Sequence, residues 1–305
     1  MKISVVGAGN VGSLAALHIA KQDLGEVVLL DIAGALARGK ALDLEDACAH
    51  VRIPCRITAS DDIACVQDSN IIVITAGFAR KPGMTREELF DKNSQILKGL
   101  SGAIKKHAPG AIVIVVTNPL DVMTYLVLHY TGFSPARVLG MGSSLDAARF
   151  RNLISQATTV PAQDIEAVVI GTHGEGMLPL PRCTYVRGVA LDEFLDDTQV
   201  QLLLQKTKER GKEIVSFLGT GSAFFAPSLC IADLVSAIAK DQKRTIGVST
   251  LLQGEYGLKN ICIGVPCILG RSGIEKVIEL KLNVSETAAL IQSAESLRAL
   301  ITRIP

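Results

Sequence analysis

The sequence contains no tryptophan, and its other aromatic residues are only 8 Phe and 4 Tyr among 305 residues. So few aromatic rings argue against the stacking surfaces with which proteins bind single-stranded nucleic acid. A surplus of one charge is missing too, because 31 Lys and Arg balance 30 Asp and Glu to a net charge of +1. Without a basic surplus we expect neither a nucleic-acid partner nor binding to an anionic membrane.

Long apolar segments and cysteine motifs are also absent. The longest apolar runs, such as residues 111–116, are far shorter than the ~18 residues of a membrane-spanning helix, and the chain opens without a leader-like segment. The 7 cysteines are scattered and contain no Cys-x-x-Cys pair. We therefore expect no disulfide framework, no metal site and a cytoplasmic location.

Short β-branched runs alternate with longer amphipathic segments in the first half of the chain. Predicted strands cover residues 3–6, 27–30, 71–75 and 112–116, and predicted helices cover residues 11–22, 35–49, 87–107 and 121–130. Strands this apolar are typical of a parallel sheet buried on both faces. Repeated strand–helix–strand units predict an α/β fold with a Rossmann-type doubly wound sheet.

The pattern changes from about residue 143. Predicted helices cover residues 145–157, 192–217, 222–239 and 285–304, the last capped by Ser285; predicted strands cover residues 166–170, 245–253, 261–265 and 277–281. Strands grouped apart from helices predict an α+β domain. The chain is long enough for two domains, which we place at residues 1–142 and 143–305.

A glycine-rich turn, Gly7-Ala8-Gly9-Asn10-Val11-Gly12, joins the first predicted strand to the first helix. Such glycines permit a tight turn, the approach of a pyrophosphate to the backbone, and close packing of helix and strand. Asp31 follows the next strand about 20 residues later, where a carboxylate accepts hydrogen bonds from a ribose and repels a 2′-phosphate. The pattern predicts a dinucleotide-binding first domain that takes NAD rather than NADP; the alternative is a glycine turn without a ligand.

Charged residues in three later segments are candidates for chemistry. Arg80, Lys81 and Arg86 lie in a loop after the strand at residues 71–75, at the sheet edge where open α/β sheets bind ligands; a solvated surface loop is the alternative. Asp146 and Arg149 share one helix face, as a local ion pair also would. His173 follows a predicted strand, where structural histidines also occur.

In this order along the chain, the motifs resemble the lactate/malate dehydrogenase family. They are the glycine turn, residues 79–86, Thr117-Asn118-Pro119-Leu120-Asp121, residues 145–151, His173-Gly174 and Gly221-Ser222-Ala223. The resemblance implies an NAD-dependent oxidoreductase of 2-hydroxy acids, assembled as a homodimer or homotetramer. It implies cofactor contacts by Gly7, Gly9, Asn10, Val11, Gly12, Asp31, Asn93 and Asn118.

The same resemblance implies roles for the residues at the substrate. His173 would be the proton donor and acceptor, Asp146 its partner, and Arg86 the group that polarises the substrate carbonyl. Arg149 would bind the C1 carboxylate as a two-pronged clamp, Asn118 would fix substrate and nicotinamide, and Ser222 would lie beside the distal end, unless it is only a helix N-cap.

Arg80 bears on the choice of substrate. Lactate-specific members of the family carry Gln at this position, whereas an arginine can pair with the second carboxylate of malate or oxaloacetate. We therefore expect a malate-specific enzyme whose partner is a small dicarboxylic acid. A lactate or other 2-hydroxy-acid dehydrogenase is the alternative; an NAD-binding sensor and an NAD-dependent glycosidase fit the sequence less well.

One segment departs from the family pattern. After His173-Gly174 the family usually has Asp, then Ser or Thr, then Met, but this chain has Glu175-Gly176-Met177. Gly176 lacks the hydroxyl and loosens the backbone. The departure raises the question of how His173 is positioned.

Overall fold

In the described part of the chain, six parallel strands form the first half of the central sheet. They are β1 (Lys2–Val6), β2 (Glu26–Leu30), β3 (Ile57–Ser60), β4 (Ile71–Ile74), β5 (Ile112–Val115) and β6 (Val138–Gly140). The computed structural model describes residues 1–78, 85–219 and 221–304, and for Arg86 the backbone only. The strands lie in the order β3-β2-β1-β4-β5-β6, all parallel, which is the order of a doubly wound dinucleotide-binding sheet.

Four helices cover the two faces of this parallel sheet. They are α1 (Asn10–Lys21), α2 (Gly34–His50), α3 (Arg86–His107) and α4 (Leu120–Thr131). Alternate strand residues point to opposite faces: Ile3 and Val5 pack in the core that contains α1 and α2, whereas Val6 packs in the core that contains α3 and α4. The continuous apolar strands predicted from the sequence are thus buried on both sides.

The described residues of the second half add four α-helices and short or antiparallel strands. The helices are α5 (Ser143–Thr158), α6 (Asp197–Leu218), α7 (Phe225–Ala239) and α8 (Val284–Ile301). The strands are β7 (Ile165–Glu166), β8 (Val169–Gly171), β9 (Met177–Pro179), β10 (Tyr185–Val186), β11 (Val189–Ala190), β12 (Arg244–Gln253), β13 (Lys259–Gly270) and β14 (Gly273–Val277).

The central sheet continues from the first half into the second. β12 pairs antiparallel with β6 through Ser249 and Gly140, and β13, β8 and β9 follow in order, with β14 paired to β13. Among the described residues this makes one sheet of 11 strands, while β7, β10 and β11 form a small separate sheet. The mixed sheet brings the end of β8 close to the carboxyl edge of the parallel strands.

Several predicted elements differ from those observed. Residues 166–170 form parts of two strands, β7 and β8, and of residues 277–281 only Val277 belongs to a strand. Strands β3 and β6 had not been predicted. The cap of α8 is Asn283, whose side chain accepts the Glu286 N–H at 2.8 Å in a capping box; Ser285 lies inside the helix, so the predicted cap was wrong.

No helix in the described part of the chain has the length and apolar character needed to cross a bilayer.

Candidate active site

The turn between β1 and α1 requires its glycines. Gly7 has φ +108°, and a Cβ there would lie 2.7 Å from the backbone N of Ala76. A Cβ at Gly12 would lie only 1.9 Å from the carbonyl oxygen of Gly7. Real Cβ atoms do not approach backbone atoms so closely, so these two positions exclude larger residues and bring α1 directly against the end of β1.

The N-terminus of α1 has the features of an anion site. Gly9 is the N-cap, and this fully described helix has neither a side-chain cap nor an acidic residue in its first turn. Among the described residues nothing lies within 4 Å of a Cβ built at Gly9. Unpaired N–H groups and the helix dipole attract anions at such an end, so Gly9, Asn10 and Val11 fit a pyrophosphate.

Asp31 lies at the end of β2, beside this helix terminus. Its Oδ2 accepts the Ala8 N–H at 2.7 Å, and its Oδ1 accepts the Ala33 N–H at 2.9 Å. Each carboxylate oxygen has a second lone pair to offer a hydroxyl donor. A carboxylate fixed in this way fits the ribose of NAD, and together with the helix terminus it satisfies the requirements of a dinucleotide site.

Asn93, predicted to contact the cofactor, makes its strongest contacts within the protein. Its Oδ1 accepts the Phe78 N–H at 2.7 Å, and its Nδ2 donates to the carbonyl of Asn118 at 2.6 Å. The fully buried amide thus joins the segment after β4 to the segment after β5. Asn118 itself is exposed at the carboxyl edge of β5, on the same edge of the sheet as the glycine turn.

A partly buried histidine–aspartate pair lies where α5 meets the loop after β8. His173 Nδ1 lies 2.8 Å from Asp146 Oδ2, and the Asp146 side chain is only 1 % exposed. Burial acts to lower the pKa of His173, but the charge and hydrogen bond of Asp146 outweigh it, so the pKa is raised. His173 therefore retains its proton to a higher pH than a free histidine.

Arg149 extends this pair through the other oxygen of Asp146. Its Nη1 lies 3.4 Å from Asp146 Oδ1, and its guanidinium packs against Gly211 of α6, where a Cβ would be 3.4 Å from Nη1. Burial lowers the pKa of Arg149, although a guanidinium remains charged at neutral pH. Its Nε is buried without a hydrogen-bond partner among the described residues, which is uncommon for a buried donor.

Asp121 is a site residue to which the sequence analysis gave no role. It lies in the first turn of α4, fully buried, and its Oδ2 accepts the backbone N–H of His173 at 2.8 Å. Burial raises its pKa to about 6. Its place after β5 at the ligand-binding edge of the sheet was a signal that could have identified it.

The remaining predicted residues are placed as follows. Arg80 lies outside the described residues, and Arg86 begins α3 without a described side chain. Ser222 is exposed in the segment before α7, whose N-cap is Phe224. The alternative interpretation of Ser222 as the cap of this helix was therefore wrong.

A glycine turn fit for a dinucleotide, on the sheet that also carries a His–Asp pair and an adjoining arginine, is the arrangement of an NAD-dependent oxidoreductase. The chain belongs to the lactate/malate dehydrogenase family. The profile of the lactate/malate dehydrogenase NAD-binding domain matches residues 1–140, and that of the alpha/beta C-terminal domain matches residues 143–304. These matches confirm the predicted family and NAD as cofactor.

Individual relatives are similar over the whole chain. The malate dehydrogenase of Methanosarcina mazei is 45 % identical over 304 residues, covering 100 % of this chain and 99 % of that one. The malate dehydrogenase of Halalkalibacterium halodurans is 42 % identical over 306 residues, covering 100 % and 98 %.

Two solved structures show how similar the fold is within the family. Cryptosporidium parvum malate dehydrogenase superposes with a TM-score of 0.97 at 38 % identity, covering 99 % of this chain and 98 % of that one. Lactate dehydrogenase from Eimeria maxima with NADH and oxamate gives 0.96 at 35 % identity, covering 99 % and 93 %. The predicted Rossmann-type fold is confirmed, but the fold does not separate the two activities.

Proposed function

We propose that this chain is an NAD-dependent malate dehydrogenase, which interconverts (S)-malate and oxaloacetate. The observation that carries the proposal is the chain of contacts His173–Asp146–Arg149, centred on the buried Asp146, on the same sheet as a dinucleotide-binding turn. When bound, NAD supplies the hydride acceptor for malate oxidation, and NADH the hydride donor for oxaloacetate reduction.

The geometry assigns the proton to one ring atom of His173. Since Nδ1 is held by Asp146 at 2.8 Å, Nε2 is the nitrogen left to face a substrate. During oxaloacetate reduction the Nε2–H of the imidazolium donates its proton to the carbonyl oxygen, and neutral Nε2 takes the hydroxyl proton back during malate oxidation. Asp146 stabilises the imidazolium, and its hydrogen bond fixes the tautomer.

Arg149 is proposed to bind the C1 carboxylate. Its buried Nε has no partner in the described part of the protein, and a guanidinium presents two parallel N–H groups to a carboxylate. Asp146 lies between Arg149 and His173, so one carboxylate orients both the binding group and the proton-transfer group. The remaining contacts are proposed from the family resemblance. The substrate would be contacted by Arg86, Asn118 and Ser222. NAD would be contacted by the glycine turn, Asp31 and Asn93.

The choice of malate over lactate rests on the curated relatives, which are malate dehydrogenases, and on Arg80. The test is a panel of oxaloacetate, pyruvate and branched 2-oxo acids with NADH. Arg80→Gln should lower kcat/KM for oxaloacetate by roughly 30- to 4,000-fold, since removing one partner of a buried charge pair costs about 2–5 kcal/mol. Comparable efficiency of the wild type with pyruvate would contradict the malate assignment.

We propose that residues 1–142 form the dinucleotide-binding domain and residues 143–305 the substrate and catalytic domain, to whose catalytic groups the first domain adds Arg86. The position of the glycine turn and Asp31 in the first part, and of Asp146, Arg149 and His173 in the second, supports this division. Separate effects of substitutions in the two parts on NADH affinity and on turnover would test it.

A homodimer or homotetramer in the cytoplasm completes the proposal. Large apolar side chains are exposed on α2 and from the end of α6 into α7: Leu36, Leu42, Phe217, Leu218, Phe225 and Leu229. Where such side chains form a patch, the patch is typical of subunit contacts. Light scattering on the purified chain tests the assembly, and cell fractionation tests the compartment.

A further inference from the structure

The loop that carries His173 is held from the far end of the chain. It connects β8 to β9, which pair antiparallel with Gly171 opposite Met177. Ser293 of α8, 6 % exposed, packs against the base of this loop although it is 121 residues from Thr172 in sequence.

One hydroxyl of α8 bonds both ends of the loop. Ser293 Oγ accepts the backbone N–H of Thr172 at 3.0 Å and donates to the carbonyl of Gly176 at 2.7 Å. The hydroxyl oxygen of Thr172 lies 3.1 Å from the same atom. Because Thr172 and Gly176 flank His173 and its neighbours, these bonds fix the width of the loop at its base.

The hydroxyl groups of Thr172 and Ser293 together explain why glycine stands at position 176. A Cβ on Gly176 would lie 2.2 Å from Thr172 Oγ1 and 2.9 Å from Ser293 Oγ. The space for a side chain is therefore already filled by two hydroxyl groups. The family usually has Ser or Thr at position 176. In this chain the hydroxyl that bonds to the loop comes instead from Ser293 of α8.

We propose that Ser293 is a positioning residue for His173, acting through the backbone of Thr172 and Gly176. His173 then has three independent restraints: its N–H on Asp121, its Nδ1 on Asp146, and its loop on Ser293. Without the Ser293 hydroxyl, the buried N–H of Thr172 would lose its acceptor and the carbonyl of Gly176 would lose this donor, so the loop would shift to regain partners. The imidazole would then spend less time at the Asp146 carboxylate.

The test compares Ser293→Ala with Ser296→Ala in the full-length protein. Ser296 is a matched control because its hydroxyl donates to the carbonyl of Ser293 within the same helix. In Ser293→Ala we expect kcat to fall at least about tenfold, with the NADH dissociation constant unchanged. Ser296→Ala should keep both values close to those of the wild type.

A pH profile separates positioning from general stability. The groups that act on the pKa of His173 are Asp146 and Arg149 of α5 and Asp121 of α4; Asp146 raises it most, Asp121 raises it less, and Arg149 lowers it. Loosening the contact with Asp146 in Ser293→Ala should therefore shift the alkaline limb of kcat/KM for oxaloacetate to lower pH. A wild-type profile and kcat, with only a lower melting temperature, would overturn the proposal.

The inference rests on the proposed function, and an NMR titration of His173 keeps the two apart. The resonance is identified by its absence in His173→Asn, and its pKa should be lower in Ser293→Ala even if the wild type has no malate activity. If Ser293→Ala does not fold, Ser293→Cys is titrated instead. A lower pKa of His173 than in the wild type supports the proposal, and an unchanged pKa contradicts it.

Discussion

The carboxylate of Asp121 accepts the backbone N–H of His173 at 2.8 Å. Asp121 belongs to the first turn of α4, which follows β5 of the parallel sheet, whereas His173 follows β8 in the second half of the chain. The proposed proton-transfer residue is thus anchored to the half of the molecule that carries the dinucleotide-binding turn. This contact holds the backbone of His173 beside the carboxyl edge of the sheet.

Because the pKa of Asp121 is raised, we predict that the free energy of unfolding decreases as the pH rises. Burial brings its pKa to about 6 from the ordinary 3.8, so the folded protein binds this proton more tightly than the unfolded chain. The stabilisation is complete below the unfolded pKa and is lost as the pH rises through about 6. Relative to the wild type, Asp121→Asn should gain up to roughly 3 kcal/mol of unfolding free energy between about pH 4 and pH 8.

Urea unfolding of both proteins across this pH range measures the difference. Asn retains an acceptor oxygen for the His173 N–H, so turnover should change much less than in Asp121→Ala. A difference in unfolding free energy that stays constant with pH would show that Asp121 is ionised in the folded state throughout.

Substitution of the proton-transfer pair should separate chemistry from cofactor binding. His173→Asn is expected to lower kcat by about 10²- to 10⁴-fold, the range of general acid–base catalysis, with little effect on NADH affinity. Asp146→Asn should cause a smaller but still large loss, because the imidazolium is less stabilised. Stopped-flow turnover and NADH fluorescence titration give the two quantities, and near-normal turnover of His173→Asn would mean that the proton comes from another group.

Asp31 is expected to set the preference for NAD. Asp31→Ser should weaken NADH binding and reduce discrimination against NADPH, since the ribose loses its acceptor and a 2′-phosphate loses its repulsion. The ratio of kcat/KM for NADH and NADPH is the measurement, with Asp23→Ser in the exposed turn after α1 as control. If the wild type already uses both cofactors equally well, the assigned role of Asp31 is wrong.

Gly142 leaves space for the side chain of His173. A Cβ at this position would lie 2.6 Å from Leu120 Cδ2 and 3.1 Å from His173 Cβ. The leucine methyl can rotate away, but His173 is restrained on both sides, so Gly142→Ala should displace the ring and lower kcat by about 10- to 100-fold.

Gly99→Ala is the matched control for this substitution. Among the described residues nothing lies within 4 Å of a Cβ at Gly99, which lies within α3. The Gly99→Ala substitution should raise the unfolding free energy by about 0.5–1 kcal/mol without changing kcat. Equal kcat values for the two alanine variants would contradict the packing argument at Gly142.

The parts of the fold and site that could be predicted are those encoded locally. The apolar strands around the glycine turn, and Asp31 at the end of β2, lie within one strand–helix–strand unit, so spacing along the chain locates them. Strands β3 and β6 were missed because they are short and less apolar: residues 57–60 read Ile-Thr-Ala-Ser and residues 138–140 read Val-Leu-Gly.

The unpredicted parts of the site depend on contacts between distant residues. Asp121 reaches His173 across 52 positions, and Ser293 reaches Thr172 across 121. No periodicity or motif spacing records such contacts, because they arise only when α4 and α8 pack on the finished sheet. His173 and Asp146 were found since each belongs to a recognisable motif, although their 2.8 Å contact is also tertiary.

The pairing of β12 with β6 has a further consequence for the molecule as a whole. β6 pairs with β5 on one side and with β12 on the other, so the second half of the chain shields what would otherwise be an open β-edge. Unshielded edges recruit foreign strands and promote aggregation. A chain cut between residues 142 and 143 should therefore yield two fragments that are soluble when mixed and aggregate when separated, because each fragment covers the exposed strand edge of the other.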